Sequence, residues 1–138
     1  MAERLLLFRY KGEVLGLPAP LSREVIELDQ VAPLPGSRGG LAGLVAASGQ
    51  ARPLLDLHRL AGLPRHQASL GLVAQVGEEL LVFPMDEVVG NLTAEETLTT
   101  SEMISAPQDT GDYRLDFKVR VINPGVLSST LQARLTPV

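Results

Sequence analysis

The sequence has no cysteine and few aromatic side chains, and both shortages narrow the functions it can have. Without cysteine the chain has no disulfide, no zinc ribbon and no thiol nucleophile. Three Phe, two Tyr and no Trp leave few rings to stack on bases or sugars, so an aromatic binding platform is not expected. No apolar run reaches the roughly 20 residues that span a bilayer, and the first residues lack the pattern of a secretion signal. We therefore expect a cytoplasmic protein with no direct membrane insertion.

Charge and length exclude further classes of protein. Twelve basic and sixteen acidic residues give a net charge of −4, which is the wrong sign for binding driven by the release of phosphate counterions. We therefore expect no nucleic-acid partner. A chain of 138 residues is close to the commonest size of one domain, so residues 1–138 are predicted to form a single domain.

Three hairpins are predicted from pairs of short apolar runs that meet at a glycine. The runs are residues 5–10 with 13–18, residues 41–47 with 51–57, and residues 70–76 with 79–83. Residues 23–29 are either a strand or a single helical turn, because so short a segment does not establish a periodicity. The Pro- and Gly-rich residues 32–43 are expected to form a long surface loop.

A further strand is predicted from residues 112–121, where apolar and charged side chains alternate without interruption. This alternation is typical of a strand with one buried and one solvated face. The residues expected on the buried face are Tyr113, Leu115, Phe117, Val119 and Val121.

Two helices are predicted from their start signals. Thr93 and Glu96 have the spacing of a capping box, which predicts a short helical turn. Asn123 can cap a second helix, with Pro124 at its first position. Leucines recur every four residues after that proline and predict an amphipathic closing helix of about three turns. These leucines are Leu127, Leu131 and Leu135.

A faint internal repeat relates the two halves of the chain. Residues 10–18 and 76–84 each contain a strand, a glycine turn, a second strand and a proline, and each is followed by Glu-Val. The repeat predicts two sub-barrels of similar design, of which neither is large enough to bury a full core alone. Their expected extents are about residues 15–75 and the remainder of the chain, with a shared core.

Few residues are suited to catalysis. His58 and His66 are the only bases of suitable pKa, and with Asp56 they make a metal-assisted hydrolase the remote alternative. Two histidines on the surface are the favoured interpretation, and the acidic residues 86–87 are expected to be solvated. The Gly-rich residues 36–40 lack the Gly-Lys-Ser/Thr of a phosphate loop, so no cofactor is expected.

Several short motifs follow one another without a gap from Gly16 to Leu57, in an order that resembles one family. The motifs are an opening strand at residues 5–8, Gly16-Leu17, an acidic segment at residues 22–25, a glycine turn at residues 43–49 and Pro-x-x-Asp-Leu at residues 53–57. Residues 83–88 and 119–123 are similar to segments of the same family further along the chain. The family is that of CheW, the adaptor of bacterial chemosensory arrays, and the resemblance covers nearly the whole chain.

The resemblance implies a mainly β fold of two intertwined, five-stranded SH3-like barrels with a short C-terminal helix. It also implies a function without catalysis. Such adaptors couple the cytoplasmic tip of a chemoreceptor to the regulatory domain of a CheA-type histidine kinase. Strand edges and the groove between the barrels would be the docking surfaces.

The sequence departs from the family at a position that implies a contact with a partner. The family turn Asn-Leu-Arg is Ala46-Ala47-Ser48 in this chain, so the arginine is missing. The partner-binding residues expected by resemblance are Glu24 and its neighbour Val25, with Ser48 at the turn and with Arg23 or Arg52 as a replacement for the lost arginine. An alternative follows from the same departure, in which a diverged module of this fold serves another partner, such as a pilus or surface-motility system.

Overall fold

The computed structural model describes residues 3–34, 39–94 and 98–135, and most of the regular structure in these ranges is β. The strands are β1 (Glu3–Tyr10), β2 (Glu13–Pro18), β3 (Ser22–Glu27), β4 (Leu41–Ala47), β5 (Gln50–Leu55), β6 (Leu70–Val76), β7 (Glu79–Met85), β8 (Glu87–Ala94) and β9 (Arg120–Val121). The helices are α1 (Leu57–Ala61) and α2 (Pro124–Leu135), with a single 3-10 turn at Ala19–Leu21. None of the helices in the described ranges is long and apolar enough to cross a bilayer.

Five strands form one sheet in the order β3-β6-β7-β5-β4. The sheet curls, because the segment after β3 returns to β4 at the opposite edge. There Ala32 and Leu44 exchange two backbone hydrogen bonds, with N···O distances of 2.9 and 2.8 Å. The small core inside this curl contains the apolar side chains Val45, Ala47, Leu54, Val73 and Val82. The five strands therefore approach a closed, SH3-like barrel.

Four strands form the second sheet in the order β8-β1-β2-β9. An irregular segment lies beyond β9, where Ile104 bridges to Ile122 and Gln108 bridges to Val119. This segment takes the place of a fifth strand, although it lacks a continuous ladder. The predicted mainly β fold of two SH3-like units with a C-terminal helix is thus confirmed, with four regular strands in the second unit.

The chain crosses between the sheets twice, which makes the two units intertwined. It leaves the second sheet through the 3-10 turn at Ala19–Leu21, builds β3 to β7, and returns at Asp86 to form β8. The largest core cluster contains side chains from both sheets, and the rings of Phe8 and Phe83 meet in it with centroids 5.9 Å apart. The division at about residues 15–75 stays a prediction.

The three predicted hairpins are confirmed as β1-β2, β4-β5 and β6-β7. Residues 23–29, which the sequence left open between strand and helical turn, contain most of β3. The loop expected over residues 32–43 is wrong for residues 41–43, which belong to β4, and residues 35–38 lie outside the described ranges.

The predicted strand over residues 112–121 is wrong for most of its length. Only Arg120–Val121 is regular strand, although Val119 also bridges. The Asp112 carboxylate accepts hydrogen bonds from the backbone N–H and the guanidinium of Arg114, and the Leu115 N–H donates to the Asp112 carbonyl. This local turn replaces a ladder, because the Asp side chain satisfies the backbone without a partner strand. Tyr113 is consequently 96 % exposed and does not lie on a buried face.

The two helix predictions have different outcomes. Thr93 lies in β8 opposite Arg4, so no helix begins there, while Glu96 lies outside the described residues. The closing helix is confirmed as α2. The Asn123 Oδ1 atom accepts a hydrogen bond from the Val126 N–H at 3.1 Å, which is the expected N-cap. Leu127 and Leu131 are buried, and the side chain of Leu135 lies outside the described residues.

Candidate functional site

Two of the residues expected to contact a partner meet in the structure. The Ser48 hydroxyl donates a hydrogen bond to the Glu24 carboxylate, with an Oγ···Oε1 distance of 3.0 Å. Glu24 lies in β3 and Ser48 in the β4-β5 turn, which belong to opposite edges of the five-stranded sheet. The contact therefore depends on the curl that brings these edges together.

The geometry of the β4-β5 turn presents the Ser48 side chain at the tip of the hairpin. Ser48 and Gly49 have φ values of 53° and 75°, as both central residues of a type I′ turn require. Glycine adopts this conformation without strain, whereas Ser48 carries a Cβ atom in the left-handed region. The hydrogen bond to Glu24 offsets part of this cost.

The neighbouring residues of β3 form an exposed strip. Val25 is 47 % exposed, which is unusual for a β-branched residue in the middle of a strand. Among the described residues, β3 is paired only with β6, so its other edge carries unpaired backbone groups. The register shifts between Ser22 and Glu24, which makes Arg23 the extra residue of a β-bulge. This bulge aims Arg23 back along the chain, where its guanidinium donates to the carbonyls of Pro20 and Ser22 at 2.7 and 3.2 Å.

Arg52 lies on the same hairpin as Ser48, directly opposite Val45. Alternate residues of β4, including Val45 and Ala47, face the barrel core, so Arg52 begins on the inward face of β5. Its Nε atom is buried and has no hydrogen-bond partner among the described residues. Arg52 is thus the one expected partner-binding residue with a buried donor left unsatisfied.

The residues of the hydrolase alternative have separate structural contacts. The Asp56 carboxylate caps α1 by accepting from the Arg59 N–H at 3.0 Å. The Nδ1 atom of His58 lies 2.9 Å from the Leu63 carbonyl, and the Nε2 atom of His66 lies 2.6 Å from the Asp86 carboxylate. No group of three or more His, Asp or Glu side chains suited to a metal ion occurs within the described ranges. Both histidines are half-buried, whereas the sequence favoured exposed ones.

Asp86 joins three segments of the chain through hydrogen bonds that the sequence did not predict. Its carboxylate accepts from the Lys11 backbone N–H at 2.8 Å as well as from His66, and its own N–H donates to the Arg9 carbonyl. Burial alone raises the pKa of Asp86, but the hydrogen bonds and charges of His66 and Lys11 outweigh it and hold the pKa below its ordinary value. The expectation of solvated charge at residues 86–87 is therefore wrong for Asp86. No local pattern indicates these contacts, because the residues are distant in sequence.

The Tyr10 side chain lies next to these contacts and, with His66, lines a cavity of about 390 Å³. Its hydroxyl donates to the Pro64 carbonyl at 2.7 Å, and its ring packs edge-on against His66 with centroids 5.4 Å apart. Burial raises the pKa of Tyr10, and the nearby charges of Asp56 and Asp86 raise it further. These contacts hold the loop after α1, which contains Pro64 and His66, against β1 at the contact between the two sheets.

Comparison with known proteins agrees with this architecture. Two interlocked SH3-like β units, with the expected contact residues on turns and edges, define a class of protein-binding modules. A family model described as the CheW-like domain matches residues 4–112, so the chain belongs to the CheW-like family, whose members are scaffold and adaptor proteins.

A solved structure with a similar fold is the scaffolding protein TtCheW from Thermoanaerobacter tengcongensis. Its TM-score is 0.65 at 18 % identity, over 89 % of this chain and 90 % of that one, and at this identity the likeness shows the fold alone. No curated protein sequence matches the chain.

Proposed function

We propose that this chain is a non-catalytic cytoplasmic adaptor that couples the cytoplasmic tip of a chemoreceptor to the regulatory domain of a CheA-type histidine kinase. The observation that carries the proposal is the contact between Glu24 and Ser48. It joins the acidic segment and the glycine turn of the family pattern into one surface. Membership of the CheW-like family supports the same function.

The surface formed by Arg23, Glu24, Val25, Ser48 and Arg52, hereafter the β3-turn surface, has the chemistry of a docking site. It combines an exposed apolar side chain, two arginines and an acid beside an unpaired strand edge. Extended segments add to such edges, and amphipathic helices dock on apolar side chains with polar neighbours. The surface therefore suits the helical tip of a receptor.

The contacts of the histidines also support a function without catalysis. His66 is engaged by Asp86 and packs against Tyr10, and His58 contacts a backbone carbonyl. Each therefore has a structural role that fixes its orientation. The net charge of −4 favours a protein partner over a nucleic acid.

A second candidate has one specific observation in its favour. Ser48 stands where the family pattern has arginine, and its hydroxyl bonds to Glu24 instead of reaching outwards. A receptor that needs the arginine would bind weakly to this turn. The alternative is a diverged module of the same fold that serves another partner, such as a pilus or surface-motility signalling system.

Binding of the kinase regulatory domain and of a receptor fragment tests the proposal. Calorimetry is expected to detect both complexes, and addition of the chain to receptor and kinase is expected to change the kinase activity. The absence of either complex at tens of micromolar protein, about the strength of weak signalling contacts, would refute the proposal.

A matched pair of valine variants tests the location of the site. Val25→Glu is expected to weaken receptor binding at least about tenfold, because it places a charge in the docking surface. Val88→Glu is the control, since Val88 is 42 % exposed and lies in β8 of the other sheet. Equal losses for both variants would contradict the assignment of the β3-turn surface.

A further inference from the structure

The cavity beside Tyr10 lies at one end of the five-stranded barrel, and we call it the barrel-end cavity. Its volume of about 390 Å³ falls within the roughly 300–1,000 Å³ of small-molecule sites, which often occupy the mouths of β-barrels. The same end of every strand of the sheet contributes to its lining. The contributing residues are Leu28 just after β3, Ala42 in β4, Leu55 in β5, Ala68 just before β6 and Pro84 in β7.

The floor of the barrel-end cavity is apolar and its opening faces solvent. Leu55 and Leu57 are each 1 % exposed, and Ala68 is also buried. Val31 and Ala42 line the same cavity but are exposed, and Val31 is 41 % accessible. A ligand can therefore enter from solvent, and its body must be apolar to match the floor.

The loop between α1 and β6 forms one wall of this cavity and is held in place before any ligand arrives. Pro64 and His66 are fixed by the hydrogen bonds described above, and the Ser69 carbonyl accepts from the Leu28 N–H at 2.9 Å. Arg65 lies between the first two of these anchors. The wall is thus preformed, so binding orders little additional backbone.

The polar groups that remain available at the opening are mainly N–H donors. The Asp56 carboxylate already accepts from the Arg59 N–H at 3.0 Å and lies 3.5 Å from the Arg59 guanidinium. Arg65 and Gln67 line the opening with exposed side chains, and no hydrogen bond or ion pair joins either of them to a described residue. An arginine offers N–H donors in a fork that fits a carboxylate, and it supplies the charge for one.

We propose that the barrel-end cavity binds a small amphipathic carboxylate, with its apolar chain on the leucine floor and its head group at Arg65. The site would be additional to the adaptor function and does not depend on it. A short straight-chain carboxylate such as octanoate has the required chemistry and serves as the probe.

Titration of the isotope-labelled chain with sodium octanoate, followed by the amide NMR signals, tests the proposal. The signals of Leu28, Ala42, Leu57 and residues 65–68 are expected to shift and to saturate, with a dissociation constant of about 1 mM or lower for a ligand of this size. Octanol and octylamine have the same chain with a neutral and a positive head group. Both are expected to bind at least about threefold more weakly than octanoate, because neither pairs with Arg65.

Arg65→Gln tests the role of the charge, and folding should tolerate it because the side chain is exposed. The variant is expected to bind octanoate about three- to tenfold more weakly and to bind octanol as the wild type does, so the preference for the carboxylate should disappear. Arg4→Gln removes an exposed arginine from β1 in the other sheet and is expected to change neither affinity.

Ala68→Leu tests the role of the apolar floor, because the larger side chain takes up space in the cavity. All three probes are expected to bind about tenfold more weakly, since fewer methylene groups of the chain can be buried. Ala46→Leu makes the same change at an exposed residue of β4 that does not line this cavity, and it is expected to leave binding unchanged. A thermal melt of each variant verifies that it is folded.

Three results would overturn the inference. The first is the absence of saturable shifts up to about 10 mM octanoate. The second is equal binding of octanoate and octanol, or a preference for octanoate that persists in Arg65→Gln. The third is a shift of the cavity signals with the kinase regulatory domain but not with octanoate, which would assign the cavity to a protein contact. The titration uses the chain alone, so its failure would leave the adaptor function standing, and failure of the adaptor assays would leave this inference standing.

Discussion

Gly43→Ala is predicted to open the five-stranded barrel where it closes. A Cβ atom at residue 43 would lie 2.6 Å from the carbonyl oxygen of Ala32 and 2.7 Å from a methyl group of Val31. Ordinary contacts of a Cβ atom begin at about 3.4 Å, so the backbone of one segment must move. Ala32 also exchanges two hydrogen bonds with Leu44, the residue next to Gly43.

The expected cost follows from these contacts. Overpacking of a filled site costs about 1–3 kcal/mol, and each of the two backbone hydrogen bonds contributes about 1 kcal/mol net. Because the segment can relax partly towards solvent, we expect a total loss of about 2–3 kcal/mol. For a chain of 138 residues, 1 kcal/mol corresponds to about 3–4 °C, so the melting temperature should fall by roughly 6–12 °C.

Calorimetry of the wild type, Gly43→Ala and a matched control measures this effect. The control is Gly125→Ala in the first turn of α2, where the nearest atom to an added Cβ is the Asn123 Oδ1 at 3.4 Å. It is expected to raise the free energy of unfolding by up to about 1 kcal/mol, because alanine favours helix. Faster amide exchange at Leu44 should accompany the loss in Gly43→Ala. A melting temperature within about 2 °C of the wild type, with Leu44 still protected, would refute the closure argument.

Three other predictions concern contacts that join separate elements. The Asp86 carboxylate has a lowered pKa in the folded state, so its stabilisation is complete above the ordinary value of 3.8 and is lost as the pH falls through the lower folded value. Asp86→Asn should therefore show a smaller drop in unfolding free energy between about pH 7 and about pH 3 than the wild type, and an equal drop in urea titrations would contradict this. Tyr10→Phe should lose about 1 kcal/mol in urea denaturation, because the Pro64 carbonyl loses its donor at 2.7 Å, and an unchanged midpoint would show that water replaces the hydroxyl. Asn123→Ala should cost about 1–2 kcal/mol of thermal stability, because it removes both the α2 cap and the hydrogen bond from the Asn123 Nδ2 to the Thr100 carbonyl, and Asn123→Ser should recover only the part due to the cap; a serine variant no more stable than the alanine variant would exclude a contribution from capping.

Elements that carry a local sequence signal could be predicted from the sequence. The family could be predicted from the order of its short motifs. The hairpins follow from apolar runs broken at glycines, and α2 follows from Asn123, Pro124 and the leucine spacing. Gly16 in the family pattern also has a physical reason, since an added Cβ would meet the side chains of Leu5, Leu7 and Val119 at 3.1–3.3 Å. The motif identifies Gly16, but the close packing that requires a glycine there is visible only in the folded structure.

The failures have a common cause. The alternation over residues 112–121 describes which side chains face the core, and Phe117, Val119 and Val121 do pack against one apolar cluster. A regular strand also needs a partner strand along its whole length. The turn at Asp112 prevents the first half of the segment from pairing in this way. Contacts between distant residues, such as His66 with Asp86, depend on topology and leave no local trace.

The expectation that Glu24 and Ser48 share a surface rested on resemblance alone, because the residues are on different elements. In the structure a hydrogen bond joins them. The unsatisfied Nε of Arg52 was not predictable, since it depends on the inward face of β5 and on the absence of an acceptor near it among the described residues. Whether the β3-turn surface binds a partner stays a prediction.

The double crossing of the chain between the sheets has a consequence for its synthesis. The β1-β2 hairpin leaves the ribosome first, but its sheet neighbours β8 and β9 begin at residues 87 and 120. The five-stranded barrel, built from consecutive strands between residues 22 and 85, has all its strands much earlier. The hairpin edges therefore remain unpaired until β8 and β9 have been synthesised, and such edges are prone to wrong pairing with other chains. Folding of the nascent chain should accordingly proceed from the middle of the sequence outwards, with the two ends joining last.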